Sequence, residues 1–375
     1  MNYFDHSATT PMRPEVLAAM TPYLLEQYGN PSSVHAAGRS ARATIDQARL
    51  QIAHELNAKP TELIFTSGGT ESDNYAIFGA AEAAREKGRH LITTRFEHHA
   101  VLRAFEELEK QGYDVTYLDV PSSGVVSLNA LQEAVREDTT LVSIMFGNNE
   151  VGTIQPIAAF GRFLRERGIL FHTDAVQVFG KQTIDVEALQ VDLLSASGHK
   201  INGPKGIGLL YVRNRCEVSA SDVRWRTGTQ ASRWYRKRTG VVGLAKALEL
   251  MIAERDQQQD HIKQLRTILL KRLDESGVNY EINGEEGLPN VLNLYFPQIE
   301  IEPFLIMLDM RQMAVSSGSA CTAGSVEPSH VLSAMYGEDE RTRASVRISF
   351  GHGNDISQVE LLAQALQDVV KSFQN

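Results

Sequence analysis

The sequence predicts an α/β protein: a mainly parallel sheet with helices on both faces, followed by a smaller α+β unit. Three observations carry this. Apolar, β-rich runs alternate with helical patterns through the first two thirds of the chain, and such alternation produces parallel strands joined by helical crossovers. Several runs end in small polar residues, as at Thr66-Ser67-Gly68-Gly69 and Ser195-Ala196-Ser197-Gly198. Sheets of this kind bind ligands at the carboxyl ends of their strands. The last third changes character, with two strand-like runs set among longer helical patterns.

Taken in order, the expected strands are Leu63 to Thr66, His90 to Thr94, Val115 to Leu118, Leu141 to Phe146, Leu170 to Thr173, Val191 to Leu194 and Gly208 to Val212. Helical patterns fill the intervals, as at Glu71 to Glu86, Val101 to Gln111 and Ile157 to Arg167. One long helical pattern, Leu244 to about Asp274, leaves the large unit. Strands near Val291 to Tyr295 and Ser345 to Phe350, then a closing helix from Ile356 to Phe373, make the smaller one. There is no internal repeat and no low-complexity tract.

The 375 residues suffice for a large domain plus a smaller one. A net charge of −9 argues against a general nucleic-acid binder. No apolar run has membrane-spanning length, so no membrane role is expected. The first residues, Met1 to His6, carry neither a basic region nor an apolar core, so no signal peptide is read. Two cysteines, Cys216 and Cys321, are too few for a disulfide framework and fit a reducing cytoplasm.

The most informative stretch is Ser195-Ala196-Ser197-Gly198-His199-Lys200, which closes an apolar strand. A lysine held there among small residues can be desolvated and uncharged, as a Schiff-base amine must be. Most lysines are simply solvated, so the weight comes from the rest of the chain. The loop Thr66 to Ser72 opens a helix and suits a phosphate, or is only an N-cap. His98, in Glu97-His98-His99, could stack on an aromatic ring; no third ligand spacing supports a metal. Asn149 could bond a ring hydroxyl or a substrate carboxylate, or merely form a turn. Asp174, at a strand end, needs a cationic partner, which a protonated pyridine nitrogen or a structural ion pair would supply. Gln177, three residues on, reaches the same area. Arg347 lies in an apolar strand and needs an anion, from a substrate carboxylate or a salt bridge. Cys321 sits in Ser316 to Ser325, a run too small and polar to form a core, which favours a mobile reactive thiol.

Assembled, these motifs resemble the cysteine desulfurases, in the class V aminotransferase branch of fold-type I pyridoxal phosphate enzymes. The similarity runs from Tyr3-Phe4-Asp5-His6-Ser7-Ala8-Thr9-Thr10 almost to the C-terminus and includes Gly29 to Ser33, Thr66 to Ser72, Glu97 to Val101, Asn148 to Thr153, Ser197 to Lys200 and Ser316 to Ser329. The resemblance implies a mainly parallel seven-stranded sheet in a large domain, 14–257, and a small domain made of 1–13 with 258–375. It implies pyridoxal 5'-phosphate, with Lys200 as the Schiff-base lysine and proton-transfer base, and His98 stacked on the ring and shuttling protons. Asp174 would meet the ring nitrogen and Gln177 the ring oxygen. Gly69, Thr70, Ser197 and His199 would hold the phosphate, and Asn149 and Arg347 the substrate carboxylate. Cys321 would take sulfur from L-cysteine as a persulfide, leaving L-alanine, and pass it to an acceptor protein for iron–sulfur clusters or thiolated tRNA. A homodimer is implied as well. Two other readings stand beside this one: a lyase acting on selenocysteine or cysteine sulfinate, and a weakened family member acting as a scaffold.

The similarity has one gap. Residues 224–240 hold both tryptophans and five arginines where the family has a glycine-rich phosphate-binding turn. Permissible codons read one base later from Arg224 give Gly-Gly-Gly-Gln, then an arginine-rich turn and Gly-Thr-Glu-Asn, close to the family pattern; the same shift is permitted from Cys216. Either the gene carries a local frame shift, or a basic loop replaces that turn and loosens the cofactor. Sequencing the gene separates the two.

Overall fold

A computed structural model of the chain describes residues 1–214, 216, 231–318 and 327–374. Residues 224–230 of the anomalous window and Cys321 itself lie outside these residues. The N-terminal half contains β1 (Asn2–Tyr3), α1 (Pro14–Leu25), α2 (Ala36–Glu55), β2 (Leu63–Thr66), α3 (Gly69–Ala83), β3 (His90–Thr94), α4 (His99–Lys110), β4 (Asp114–Leu118), α5 (Leu128–Ala134), β5 (Thr139–Ser143), α6 (Ile157–Arg165) and β6 (Leu170–Asp174). The chain continues through α7 (Val186–Leu189), β7 (Leu193–Ser197), β8 (Gly208–Val212), α8 (Ala231–Ala253), α9 (Arg255–Ser276), β9 (Glu281–Ile282) and β10 (Val291–Tyr295). It closes with α10 (Ile301–Met310), β11 (Met313–Ala314), α11 (His330–Tyr336), β12 (Ser345–Ser349) and α12 (Ile356–Gln374).

Seven strands form the central sheet in the order β2-β8-β7-β6-β5-β3-β4. The pairs from β7 to β4 are parallel, and β8 is antiparallel to both its neighbours. Successive residues point to opposite faces of a strand. Leu91, Leu141, Leu193 and Leu210 pack on one face with Ala76 and Ile77 of α3 and Val101 and Phe105 of α4. Their neighbours Ile92, Val142, Leu194 and Leu209 pack on the other face with Ile45 and Ile52 of α2, Phe160 of α6 and Leu244 of α8. Burial on both faces explains why these strands read as continuous apolar runs.

A separate core joins α9, α10 and α12 to the antiparallel strands β10 and β12, with β9 paired to β10 at the sheet edge. Phe4 belongs to it, fully buried and edge-on to Phe350 at 5.9 Å. The sequence suggests one helix from Leu244 to about Asp274. The structure has two, meeting at Glu254, whose backbone (φ −107°, ψ 4°) leaves the helical region. Helical periodicity alone does not reveal such a break, because both segments carry the same pattern.

Candidate active site

The carboxyl ends of β2, β6 and β7 converge on a cavity of about 420 Å³. Gly69, Thr70, His98, Asn149, Asp174, Gln177, His199, Lys200 and Arg347 line it. Of the residues singled out in the sequence, Ser197 stands outside this lining and Cys321 lies outside the described residues. Ser197 ends β7 with its Oγ buried and unpartnered.

Lys200 follows β7 on a single 3₁₀ turn, Gly198–Lys200. The N-terminal segment straps this turn down. Thr10 donates from its backbone N (2.9 Å) and its Oγ1 (2.7 Å) to the His199 carbonyl, and Asn202 N donates to Thr10 Oγ1 at 2.8 Å. Lys200 Nζ donates to the carbonyls of Ser7 and, at 2.8 Å, Ala8. Burial, then the nearby cations Arg347 and Lys181, push its amine down to about 7. At neutral pH about half of this amine is the free base, and more above it, the state a nucleophile or proton acceptor requires.

Asp174 ends β6 with Oδ1 accepting from Val176 N at 2.9 Å. Burial raises its carboxyl to about 6 despite that bond and the Lys200 charge. A buried carboxylate at a strand end that no ion pair neutralises is a costly arrangement. Asp73, one helical turn past Thr70 on α3, lies beside it; burial and the Asp174 charge raise its carboxyl as well. Below the pair, neutral His172 spans Ser143 Oγ (2.8 Å) and Ser195 Oγ (3.0 Å), its pKa driven down to about 3 by burial.

His98 caps α4, its Nδ1 accepting from Ala100 N at 3.1 Å. That bond leaves the proton on Nε2. The ring is more than a third exposed to the open cavity, yet the protein around it and the Lys200 charge hold it neutral, near 4. Atoms of Asp73, His98 and Asp174 lie within 4.8 Å of one another, a spacing that would admit a metal ion.

Arg347, in the centre of β12, donates through Nη2 to Asp5 Oδ1 at 2.8 Å and through Nη1 to the Asn149 carbonyl at 3.2 Å. Its Nε is buried and unpartnered. Ser316 pairs with it across an isolated bridge, so the segment leading to Cys321 leaves from the cavity wall at Gly318. On the far side of that segment, Ser329 Oγ donates to Glu150 Oε2 at 2.5 Å. Sequence reading missed Asp73, Glu150 and His330. The signal for Asp73 is its i+3 spacing from Thr70, which places it on the same face of α3. Glu150 follows Asn149 in the chain, but its partner Ser329, like His330, comes from a distant segment.

The residues present fit a phosphorylated pyridine. Gln177 Oε1, Ser197 Oγ and Ser7 Oγ are buried polar atoms without partners, and Asp174 lacks the cation that a ring nitrogen would provide. The α3 N-terminus presents free amides at Gly69. A Cβ at Gly69 would stand 2.8 Å from Val176 Cγ2, and one at Gly208 would stand 2.6 Å from the Gly68 carbonyl carbon. The loop is thus pressed against its neighbours by two residues without side chains.

Glu97 supports this wall from below. Its Oε1 accepts from Thr94 Oγ1 (2.7 Å) and Met145 N (2.9 Å), and burial raises its carboxyl to about 8. A carboxyl raised on folding stabilises less and less as pH rises from its unfolded value toward the folded one. Glu97→Gln is therefore expected to match the wild type near pH 4.5 and to exceed it increasingly up to about pH 8, then level off. The measurement is the urea midpoint against pH. A gap that does not grow over this range would contradict the assignment.

A family model described as aminotransferase class-V matches residues 2–362. The chain is 50% identical over 378 residues to "Putative cysteine desulfurase IscS 1" of Bacillus subtilis (strain 168), covering 98% of each. It is 44% identical over 381 residues to "Cysteine desulfurase IscS" of Methanosarcina thermophila, covering all of this chain and 93% of the relative. Among solved structures, "NIFS-LIKE PROTEIN" superposes with a TM-score of 0.89 at 35% identity over 99% of both chains. "SspA in complex with cysteine" superposes with a TM-score of 0.79 at 37% identity, covering 93% of this chain and 99% of that one.

Proposed function

Because the chain belongs to the class V aminotransferase family, we propose that it is a pyridoxal phosphate-dependent cysteine desulfurase. The observation that carries the reading is one cavity that holds a deprotonatable lysine, a buried carboxylate short of a cation, and an arginine with a free buried donor. Bound there, the cofactor would supply an electron sink that weakens bonds at the substrate's α and β carbons. Gly69, Thr70, Ser197 and His199 would hold its phosphate; Asp174, Gln177 and His98 would hold its ring.

The chain's own residues do the rest. Arg347 Nε and Asn149 would bind the carboxylate of L-cysteine and fix its orientation. Lys200, as a free base, would accept and return the proton at the substrate's α carbon, with His98 Nε2 as a second carrier. The Cys321 thiol would take the substrate's sulfur: one thiol and one L-cysteine give one persulfide and one L-alanine, with no external oxidant or reductant. The persulfide would then pass to an acceptor protein serving iron–sulfur cluster assembly or tRNA thiolation.

A homodimer belongs to this reading. Leu24, Leu25, Tyr28 and Val34 are exposed apolar side chains on α1 and the turn after it, suited to being covered by a partner subunit. Among the described residues no helix is long and apolar enough to cross a membrane. A reducing cytoplasm would keep Cys321 available. The core that groups Phe4 with α9, α10 and α12 favours a division into 14–257 and 1–13 with 258–375, although Leu288, Val291, Val331, Leu332 and Met335 pack into the core of the larger unit.

Arg347→Ala should raise KM for L-cysteine on the order of 10²-fold, the usual cost of removing one partner from a buried charged contact. Arg347→Lys should recover part of it, since the charge remains but the fork does not. Unchanged KM in both would remove Arg347 from the substrate site. The test of the whole reading is the absorption spectrum of purified protein before and after L-cysteine, with alanine and sulfide assayed alongside. A near-visible cofactor band that shifts with cysteine, alanine formed, and sulfur release lost in Cys321→Ala are expected. A colourless protein that cannot be reconstituted would overturn it.

A further inference from the structure

Lys200 has a second face. On the side away from Asp174 it borders a smaller cavity of about 40 Å³. His6, Lys181 and Asn290 also line this space. A water needs roughly 10–15 Å³ by this measure, so the cavity holds on the order of three water-sized particles. His6 is 3% and Asn290 4% exposed. Part of the Lys181 stem reaches the surface, but its Nζ is shut off from solvent.

These three residues share one property. His6 Nδ1, Lys181 Nζ and Asn290 Nδ2 are buried and have no hydrogen-bond partner. Neighbouring groups in the lining are satisfied: Arg255 donates to the Gly180 carbonyl (3.2 Å) and Thr183 Oγ1 (2.6 Å), and Asn202 Nδ2 to the Pro11 carbonyl (2.8 Å). No aspartate or glutamate lines the cavity, while two lysines and an arginine do. Buried polar groups are nearly always paired, and a buried ammonium without a counter-charge is the costliest kind to leave alone. Two orphan donors, Lys181 Nζ and Asn290 Nδ2, beside one small cationic cavity call for an acceptor that carries negative charge.

We propose that this cavity is a binding site for a small monovalent anion, of halide size, held by Lys181 Nζ and Asn290 Nδ2. A cation would meet only positive charge. The site stands on the cavity's geometry and charge and does not depend on the reaction proposed above.

The test uses the purified holoenzyme and bromide. Crystals grown in gluconate and soaked in bromide should show an anomalous peak in this cavity, within hydrogen-bond distance of Lys181 Nζ and Asn290 Nδ2. In solution, replacing gluconate by bromide at constant ionic strength should raise the melting temperature along a saturating curve. Both signals should vanish in Lys181→Met; Asn290→Leu, which keeps the lysine, should weaken the solution affinity several-fold and serves if the first variant does not fold. Water without an anomalous peak, a peak without any shift in solution, or a bromide shift that persists unchanged in either variant would each overturn the proposal.

Discussion

Lys200→Ala should lower the rate of alanine formation by ~10⁴-fold or more, because one side chain supplies both the covalent attachment and the proton transfer. The structure gives the reason for its competence. The lysine sits on a 3₁₀ turn pinned by Thr10 and Asn202. Burial and the cations Arg347 and Lys181 bring its amine down to about 7. Lys200→Arg keeps the positive charge but cannot lose its proton near neutrality, so it should be as inactive as the alanine variant. That pair of variants separates charge from proton transfer. The wild-type apoprotein should take up pyridoxal phosphate faster as pH rises through about 7, because the free-base fraction grows over that interval. Near-normal turnover in Lys200→Ala would remove the lysine from the chemistry, and a flat uptake profile would contradict the lowered amine.

Asp174→Asn is the second large effect, and it should act in opposite directions on two measurements. In the apoprotein the buried carboxyl is raised to about 6 by burial. Its contribution to stability is present below the ordinary carboxyl range and is lost as pH climbs to about 6. The asparagine variant carries no such loss, so its apoprotein should be more stable than the wild type at pH 7. Cofactor binding should change the other way. The carboxylate is the counter-charge for a protonated ring nitrogen, and removing one partner of a buried charge pair costs about 2–5 kcal/mol. Turnover should fall on the order of 10³-fold, as when a preorganised electrostatic contact is removed. Thermal melts of the apoprotein, cofactor titration and turnover read these three quantities separately. A variant less stable as apoprotein but unchanged in cofactor affinity would mean that Asp174 is structural.

Much of this site was legible in the chain because its parts are local. Lys200 follows an apolar run within a cluster of small residues, and Asp174 and the Thr66–Ser72 loop each close a strand, so strand ends pointed to them directly. Asp73 was legible only through its spacing from Thr70, and Glu150 was not legible. Their roles come from what lies opposite them: Asp174 and His172 for the first, Ser329 for the second. Such contacts span up to 179 residues of sequence. The small cavity behind Lys200 was also invisible, since His6, Lys181 and Asn290 have nothing in common until the fold brings them together.

The sequence by itself determined the alternation of strands and helices, the parallel sheet, the strand-end positions of the reactive groups and the family they resemble. Hydrophobic periodicity and turn chemistry act over a few residues, so they are written locally. Tertiary structure alone decided the break at Glu254, the strap of residues 7–10 over the lysine turn, and the lowered amine of Lys200. Desolvation and through-space charge depend on neighbours that the chain order does not specify.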